Sequence, residues 1–145
     1  MRTVIQRVQS AKVMSGDLSA SIGKGLLLLV GIEKTDTSEN ITWCANKIAG
    51  LRVFEDLNGK MNLSLSEIGG EILAVSQFTL AGDIAKGRRP GFDGAMEPAQ
   101  AKLLFDFFVT RLINQQQIVK TGFFQEHMLV ELVNDGPVTF VLEKR

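Results

Sequence analysis

The chain of 145 residues contains no Tyr, one Cys, one His, one Trp and three Pro. A lone Cys44 cannot close an internal disulfide, and with His127 as the sole imidazole no Cys/His zinc cluster can be built within one chain. There is no excess charge either: 16 Lys and Arg balance 16 Asp and Glu. A protein that coats long stretches of nucleic acid needs a large basic surplus, so that class is excluded, whereas a small contact with one end of an RNA is not. The longest near-apolar run, Leu26 to Ile32, falls far short of the ~20 residues that cross a bilayer. Met1-Arg2 leads into Thr3-Val4-Ile5-Gln6 without the apolar core of a signal peptide, so no membrane association and a cytoplasmic location are expected.

What is present is ordinary for a globular protein: 45% apolar and 22% charged residues. A chain of this length buries roughly 70% of the surface it exposes when unfolded. No linker, repeat or low-complexity tract interrupts it, so a single domain over 1–145 is expected.

Val4, Gln6 and Val8 alternate with Ile5, Arg7 and Gln9, the pattern of a strand with one buried face. Ser15-Gly16-Asp17 reads as a hairpin turn into Leu18 to Ile22, and Gly23-Lys24-Gly25 as a turn before Leu26 to Ile32. That last run is so uniformly apolar that it predicts a strand covered on both faces. Thr35 to Ser38 offer side-chain caps for a helix whose buried stripe is Ile41, Cys44, Ala45 and Ile48. Leu51 to Phe54 and Met61 to Leu65 predict strands around an Asn58-Gly59 turn, and Glu71 to Leu80 a further strand after Gly69-Gly70. A long polar, Gly-rich loop follows from Ala81 to Gly94. Pro98 opens a second helix with a stripe of Ala101, Leu104, Phe105, Phe108 and Leu112, ended by Gln115-Gln116-Gln117. Met128 to Val133 and Val138 to Leu142 predict two strands joined by a tight connection at Asn134-Asp135-Gly136-Pro137. The expected fold is mixed α/β (α+β): two stacked, barrel-like β-sheets with two or three helices packed outside.

Two segments carry candidate chemistry. Along a strand, Gln77 and Thr79 project to one face and Ser76 and Phe78 to the other, which suits a polar pocket or an ordinary polar strand end. Asn134-Asp135-Gly136-Pro137-Val138-Thr139 reads either as a simple turn or, with a cis Gly-Pro bond, as a rigid site of main-chain acceptors. Lys86, Arg88 and Arg89 form either a phosphate grip or a solvated basic loop. Thr79 as a nucleophile lacks an adjacent base in its own segment, and His127 reads as structural or surface. Cys44, on an apolar helix stripe, reads as a small buried hydrophobe, and Phe105, Phe107 and Phe108 as core.

Ser76-Gln77-Phe78-Thr79 together with Asn134-Asp135-Gly136-Pro137-Val138-Thr139 resembles the two signature motifs of the D-aminoacyl-tRNA deacylase family. Ile5-Gln6-Arg7-Val8, Gly59-Lys60-Met61-Asn62-Leu63 and Arg89-Pro90 followed by Phe92 are similar too, so the likeness spans the chain. Gly91 departs from the Ser expected after Arg-Pro, and the first hairpin is about one residue short. The resemblance implies hydrolysis of the ester joining a D-amino acid, or mischarged glycine, to the 3′ acceptor end of tRNA. It implies a homodimer in which Gly136 and Pro137 of one subunit complete the other's pocket and exclude L side chains with fixed carbonyl oxygens. Ser76 and Asn134 then belong to the substrate pocket, and Arg7 steadies the Gly-Pro segment. Gln77 and the Phe78 N–H stabilise the oxyanion, and Thr79 lines the pocket while the ribose 2′-hydroxyl assists water. Neither metal nor cofactor is required. Two rivals stand beside this reading: an RNA-end binding module without catalysis, and an esterase with Thr79 as nucleophile.

Overall fold

A computed structural model describes residues 1–85 and 87–145; Lys86, one of the expected phosphate contacts, lies outside the described residues. The chain runs β1 (Arg2–Ser15), β2 (Leu18–Ile22), β3 (Gly25–Gly31), α1 (Ser38–Ala49), β4 (Phe54–Glu55), β5 (Met61–Leu63), β6 (Glu71–Ser76), a 3-10 turn (Phe78–Ala81), α2 (Pro98–Asn114), β7 (Ile118–Thr121) and β8 (Leu129–Glu143).

β1 organises the sheet. One of its edges pairs with β3 from Arg2 to Val8 and then with β2 from Ala11 to Ser15, while β8 runs antiparallel along the other from Arg2 to Met14. Beyond β3 come β6 and β7, each parallel to its neighbour. β2, at one end of this path, also packs against β6 and β7 at the other, so the six strands curl into one barrel-like sheet. The expected pair of stacked sheets is replaced by this curl and a separate two-stranded β4–β5 ribbon, and among the described residues the α-helices are two.

The uniform apolarity of β3 follows from its place. Leu26, Leu28 and Val30 face a core shared with Ile41, Cys44 and Ile48 of α1 and Phe105, Phe108 and Leu112 of α2. Leu27 faces a second core inside the curl with Val8, Val13, Ile22, Leu73 and Val75. β1 serves both cores: Thr3, Ile5 and Arg7 are buried on one phase and Val8, Ala11 and Val13 on the other. The change of phase falls where its pairing with β8 slips, because a bulge re-aims every side chain beyond it.

Both helices start where capping chemistry directs. The Thr37 side chain accepts from the Asn40 N–H, and Glu97 accepts from Ala99 and Gln100 ahead of Pro98 in the first turn of α2. The buried stripes match the expected ones except that Leu104 is half-buried. Gly16 and Gly59 adopt φ of 55° and 72° in the two turns that sequence placed there.

Four expectations are corrected. The strand expected over Leu51 to Phe54 shortens to Phe54–Glu55. The strand expected through Leu80 ends at Ser76. The tight connection at Asn134 to Pro137 is no hairpin: β8 is one continuous strand with a bulge there, and the Gly136-Pro137 bond is cis. β7, absent from the sequence reading, follows α2 directly. Among the described residues no helix is long and apolar enough to cross a membrane.

Candidate active site

β6 stops because its partner does. The Gln77 N–H still donates to the Val30 carbonyl at 2.7 Å, but β3 ends at Gly31 and the chain turns into the 3-10 segment, closed by Leu80 N–H to Gln77 O at 3.2 Å and Gly82 N–H to Thr79 O at 3.0 Å. Gln77 and Thr79 do come together, by this turn rather than by strand alternation: Gln77 Nε2 donates to Thr79 Oγ1 at 2.5 Å. Among the described residues the Phe78 N–H has no partner, as the first donors of a helical turn have none within it. The Phe78 ring stands exposed and packs edge-to-face on Phe92 at 5.2 Å.

Ser76, Gln77 and Phe78 open onto a cavity of about 730 Å³. Its opposite walls come from Phe92 to Ala101 and from Phe124 to Val130. The first wall is drawn in by the Met96 N–H donating to Ile32 O at 3.2 Å and by the Glu33–Ala95 bridge. Sequence reasoning missed Phe92, Met96, Phe124 and Met128 as cavity residues, and His127, read as structural, also faces the cavity. The one signal in the sequence is that aromatic Phe123-Phe124 and polar Gln125-Glu126-His127 sit together in a short segment just before β8. The lining is apolar apart from Ser76, Gln77 and the Glu97, Gln125, Glu126 and His127 side chains, a mixture of apolar walls and a few polar groups usual for a small-ligand site.

The second motif forms a separate cluster. Arg7 is only 5% exposed; it donates through Nη1 to Val53 O at 2.7 Å and through Nε to Asp135 O at 3.0 Å. Its Nε lies 3.2 Å from the Asp135 carboxylate, and its Nη2 lies 3.6 Å from Glu55. In return Asn134 Nδ2 donates to the Arg7 carbonyl at 2.9 Å. Gly136 and Pro137 are exposed and do not line the Gln77 cavity of their own chain. Arg88 and Arg89 are exposed at the end of a loop pinched by reciprocal Asp83–Gly91 backbone bonds of 2.8 and 2.9 Å, also off the cavity wall.

Groups with displaced acidity lie elsewhere. Backbone N–H donors from Lys60 and Asn58 hold the Asp56 carboxyl below the usual range, the Gly23 N–H does the same for Glu71, and burial pushes the Cys44 thiol up to about 11. Among the described residues no three His, Cys, Asp or Glu side chains converge as metal ligands would.

A family model described as D-Tyr-tRNA(Tyr) deacylase matches residues 4–143. Curated relatives named D-aminoacyl-tRNA deacylase include one from Geobacter sulfurreducens, 54% identical over 100% of this chain and 96% of its own length. Another, from Koribacter versatilis, is 51% identical over 100% and 98%. A solved structure described as c-Myc DNA Unwinding Element Binding Protein superposes with a TM-score of 0.92 at 39% identity, covering 100% of this chain and 99% of that one. A probable eukaryotic D-amino acid tRNA deacylase shares the fold at a TM-score of 0.85 and 17% identity, over 97% of both chains. With a match running from β1 to the last strand and relatives above half identity over 96–98% of their length, the chain belongs to the D-Tyr-tRNA(Tyr) deacylase family.

Proposed function

We propose that this hydrolase cleaves the ester between a D-amino acid, or glycine, and the terminal ribose of tRNA in the cytoplasm. It rejects the L form through a filter made of the Gly136 and Pro137 carbonyls. The observation that carries the reading is the pairing of an apolar cavity with Gln77 and the free Phe78 N–H at its edge. The terminal base occupies the apolar walls, and the ester carbonyl lies against the two donors. One such oxyanion donor is worth ~10²- to 10³-fold in rate.

Thr79, expected to line the pocket, is exposed and off the cavity wall, and it holds the Gln77 amide beside that wall. Its oxygen already accepts from Gln77, and a donor as nearest partner is the opposite of the base a nucleophile needs. Attack therefore falls to water assisted by the ribose 2′-hydroxyl, on an ester labile enough for positioning to suffice.

Selection requires a second copy of the chain. Gly136 and Pro137 lie outside the cavity of their own subunit, while among the described residues β8 pairs with β1 alone and shows Leu129, Val133, Phe140 and Val141 to solvent. A long open edge with apolar side chains invites pairing, and a symmetric dimer formed there brings each Gly-Pro bulge to the partner's cavity.

Co-expression tests the composite site. Gln77→Ala and Gly136→Val each inactivate the homodimer, but the mixed dimer holds one intact site, so D-tyrosyl-tRNA turnover reappears when the two variants are purified through separate tags. No recovery, or release of L-tyrosine from L-tyrosyl-tRNA by the unaltered protein, rejects the reading. Folded protein that binds the RNA end without turnover returns the role to a binding module. Thr79→Ala keeps measurable deacylation; complete loss with a trappable acyl-enzyme in the unaltered protein favours the Thr-nucleophile esterase.

A further inference from the structure

The bulge in β8 is large. Gln6 stands opposite Thr139 and Val8 opposite Asn134, so five steps along β8 face two along β1. A loop of that size inside a sheet strips both strands of ladder bonds, and Pro137 has no N–H to offer. Two side chains replace part of them: Arg7 Nε donates to Asp135 O at 3.0 Å, and Asn134 Nδ2 donates to Arg7 O across the strands at 2.9 Å and to Val138 O beyond the bulge at 3.2 Å. Both partners of Asn134 are carbonyls, so the amide nitrogen must face them and the amide oxygen must face the other way. That oxygen points at Gly136, where an added Cβ would lie 2.5 Å from it. The backbone of Gly136 is outside the left-handed region, so glycine is not required there by φ.

The geometry points to Asn134 as a positioning residue for stereochemical selection: its amide ties the two ends of the bulge together, and its oxygen crowds any side chain placed at 136. This rests on the Gly-Pro filter proposed above and adds the part that holds it. A side chain at 136 would lever Asn134 off its two carbonyls.

A double-mutant cycle on the intact protein tests this, with Asn134→Ala, Gly136→Ala and the double variant, read as the ratio of kcat/KM for D-tyrosyl-tRNA over L-tyrosyl-tRNA. Asn134→Ala is expected to lower that ratio roughly 10- to 30-fold, the worth of two ordinary hydrogen bonds. Gly136→Ala should do so comparably, and the double variant no more than the worse single one, because both remove the same tie. Asn134→Asp, of equal shape but without donors, should match Asn134→Ala, and Asn134→Ser replaces it in the cycle if the Ala variant is insoluble. A merely structural role predicts lower melting temperatures with the D-to-L ratio intact, which overturns the inference, as do losses that multiply in the double variant. Gly136→Val, which should abolish D-tyrosyl-tRNA turnover, separates the two levels: if it keeps turnover with the D-to-L ratio intact, the filter itself is wrong; if it abolishes turnover while Asn134→Asp keeps the ratio, only the role of Asn134 is.

Discussion

Replacing Arg7 with Met removes the tie between the β4–β5 ribbon and the β8 bulge while keeping an unbranched apolar stem in place. The guanidinium is 5% exposed and makes two charged hydrogen bonds to carbonyls, at 2.7 Å to Val53 and 3.0 Å to Asp135. Bonds of that kind contribute ~1.5–3 kcal/mol each. The carboxylates beside it are wetter, Asp135 at 30% and Glu55 at 58% exposure, so the ion pairs add no more than ~1 kcal/mol after screening. Met recovers part of the stem packing. The net loss expected is ~3–5 kcal/mol, a large share of the ~5–15 kcal/mol that holds a domain together. At ~2–4 °C per kcal/mol for a chain of this size, the melting temperature should fall by roughly 6–20 °C. Urea unfolding and a thermal scan measure it, with Arg7→Lys falling between, because a point charge cannot serve two carbonyls on different elements. The loss should persist from about 0.1 to about 1 M salt, since buried hydrogen bonds are screened little. A drop below ~1 kcal/mol, or one that vanishes at high salt, would refute the assignment of the energy to the two carbonyl bonds.

Gly31→Ala places a Cβ 2.8 Å from Leu80 Cβ and 3.1 Å from the Gln77 carbonyl, so the 77–81 turn must shift; deacylation should fall at least ~10-fold with the fold retained, and unaltered kcat would show that the turn is not poised. Phe108, fully buried between both helices and β3, should cost ~3–5 kcal/mol as Ala, read as a lower urea midpoint at constant slope. Cys44, whose thiol is raised from 9.0 to about 11 by burial, favours the native state in its neutral form. Its contribution is whole below pH 9 and fades as pH rises towards 11. Native protein should resist thiol reagents at pH 8, and Cys44→Ala should flatten the alkaline loss of stability; an unchanged alkaline limb contradicts this.

The parts of the fold that were legible share a local cause. The stripes of α1 and α2, their caps, and the glycine turns at 16 and 59 are set by residues within one or two turns of each other, and β3 announced its double burial by composition alone. The misreadings share the opposite cause. Phe78 and Leu80 continue an alternating pattern past Ser76, but β3 supplies no partner there, so the backbone closes on itself as a 3-10 turn. Asn, Asp, Gly and Pro are the residues of turns and of bulges alike, and only β1, more than a hundred residues earlier, shows that pairing resumes at Thr139. β7 is four residues long and gains its place from β6, not from its own pattern.

The two motifs, and with them the family, could be read from the sequence, because side-chain identity and spacing survive in one dimension. The tertiary structure alone decided that Phe92, Phe124 and His127 share a cavity with Gln77. It also set Arg7 against Asp135 and left the Gly136-Pro137 bulge exposed on an edge strand, away from that cavity. Periodicity tells which face of an element is buried; it carries no record of which distant segment does the covering, and a site assembled from four such segments exists only once they have packed.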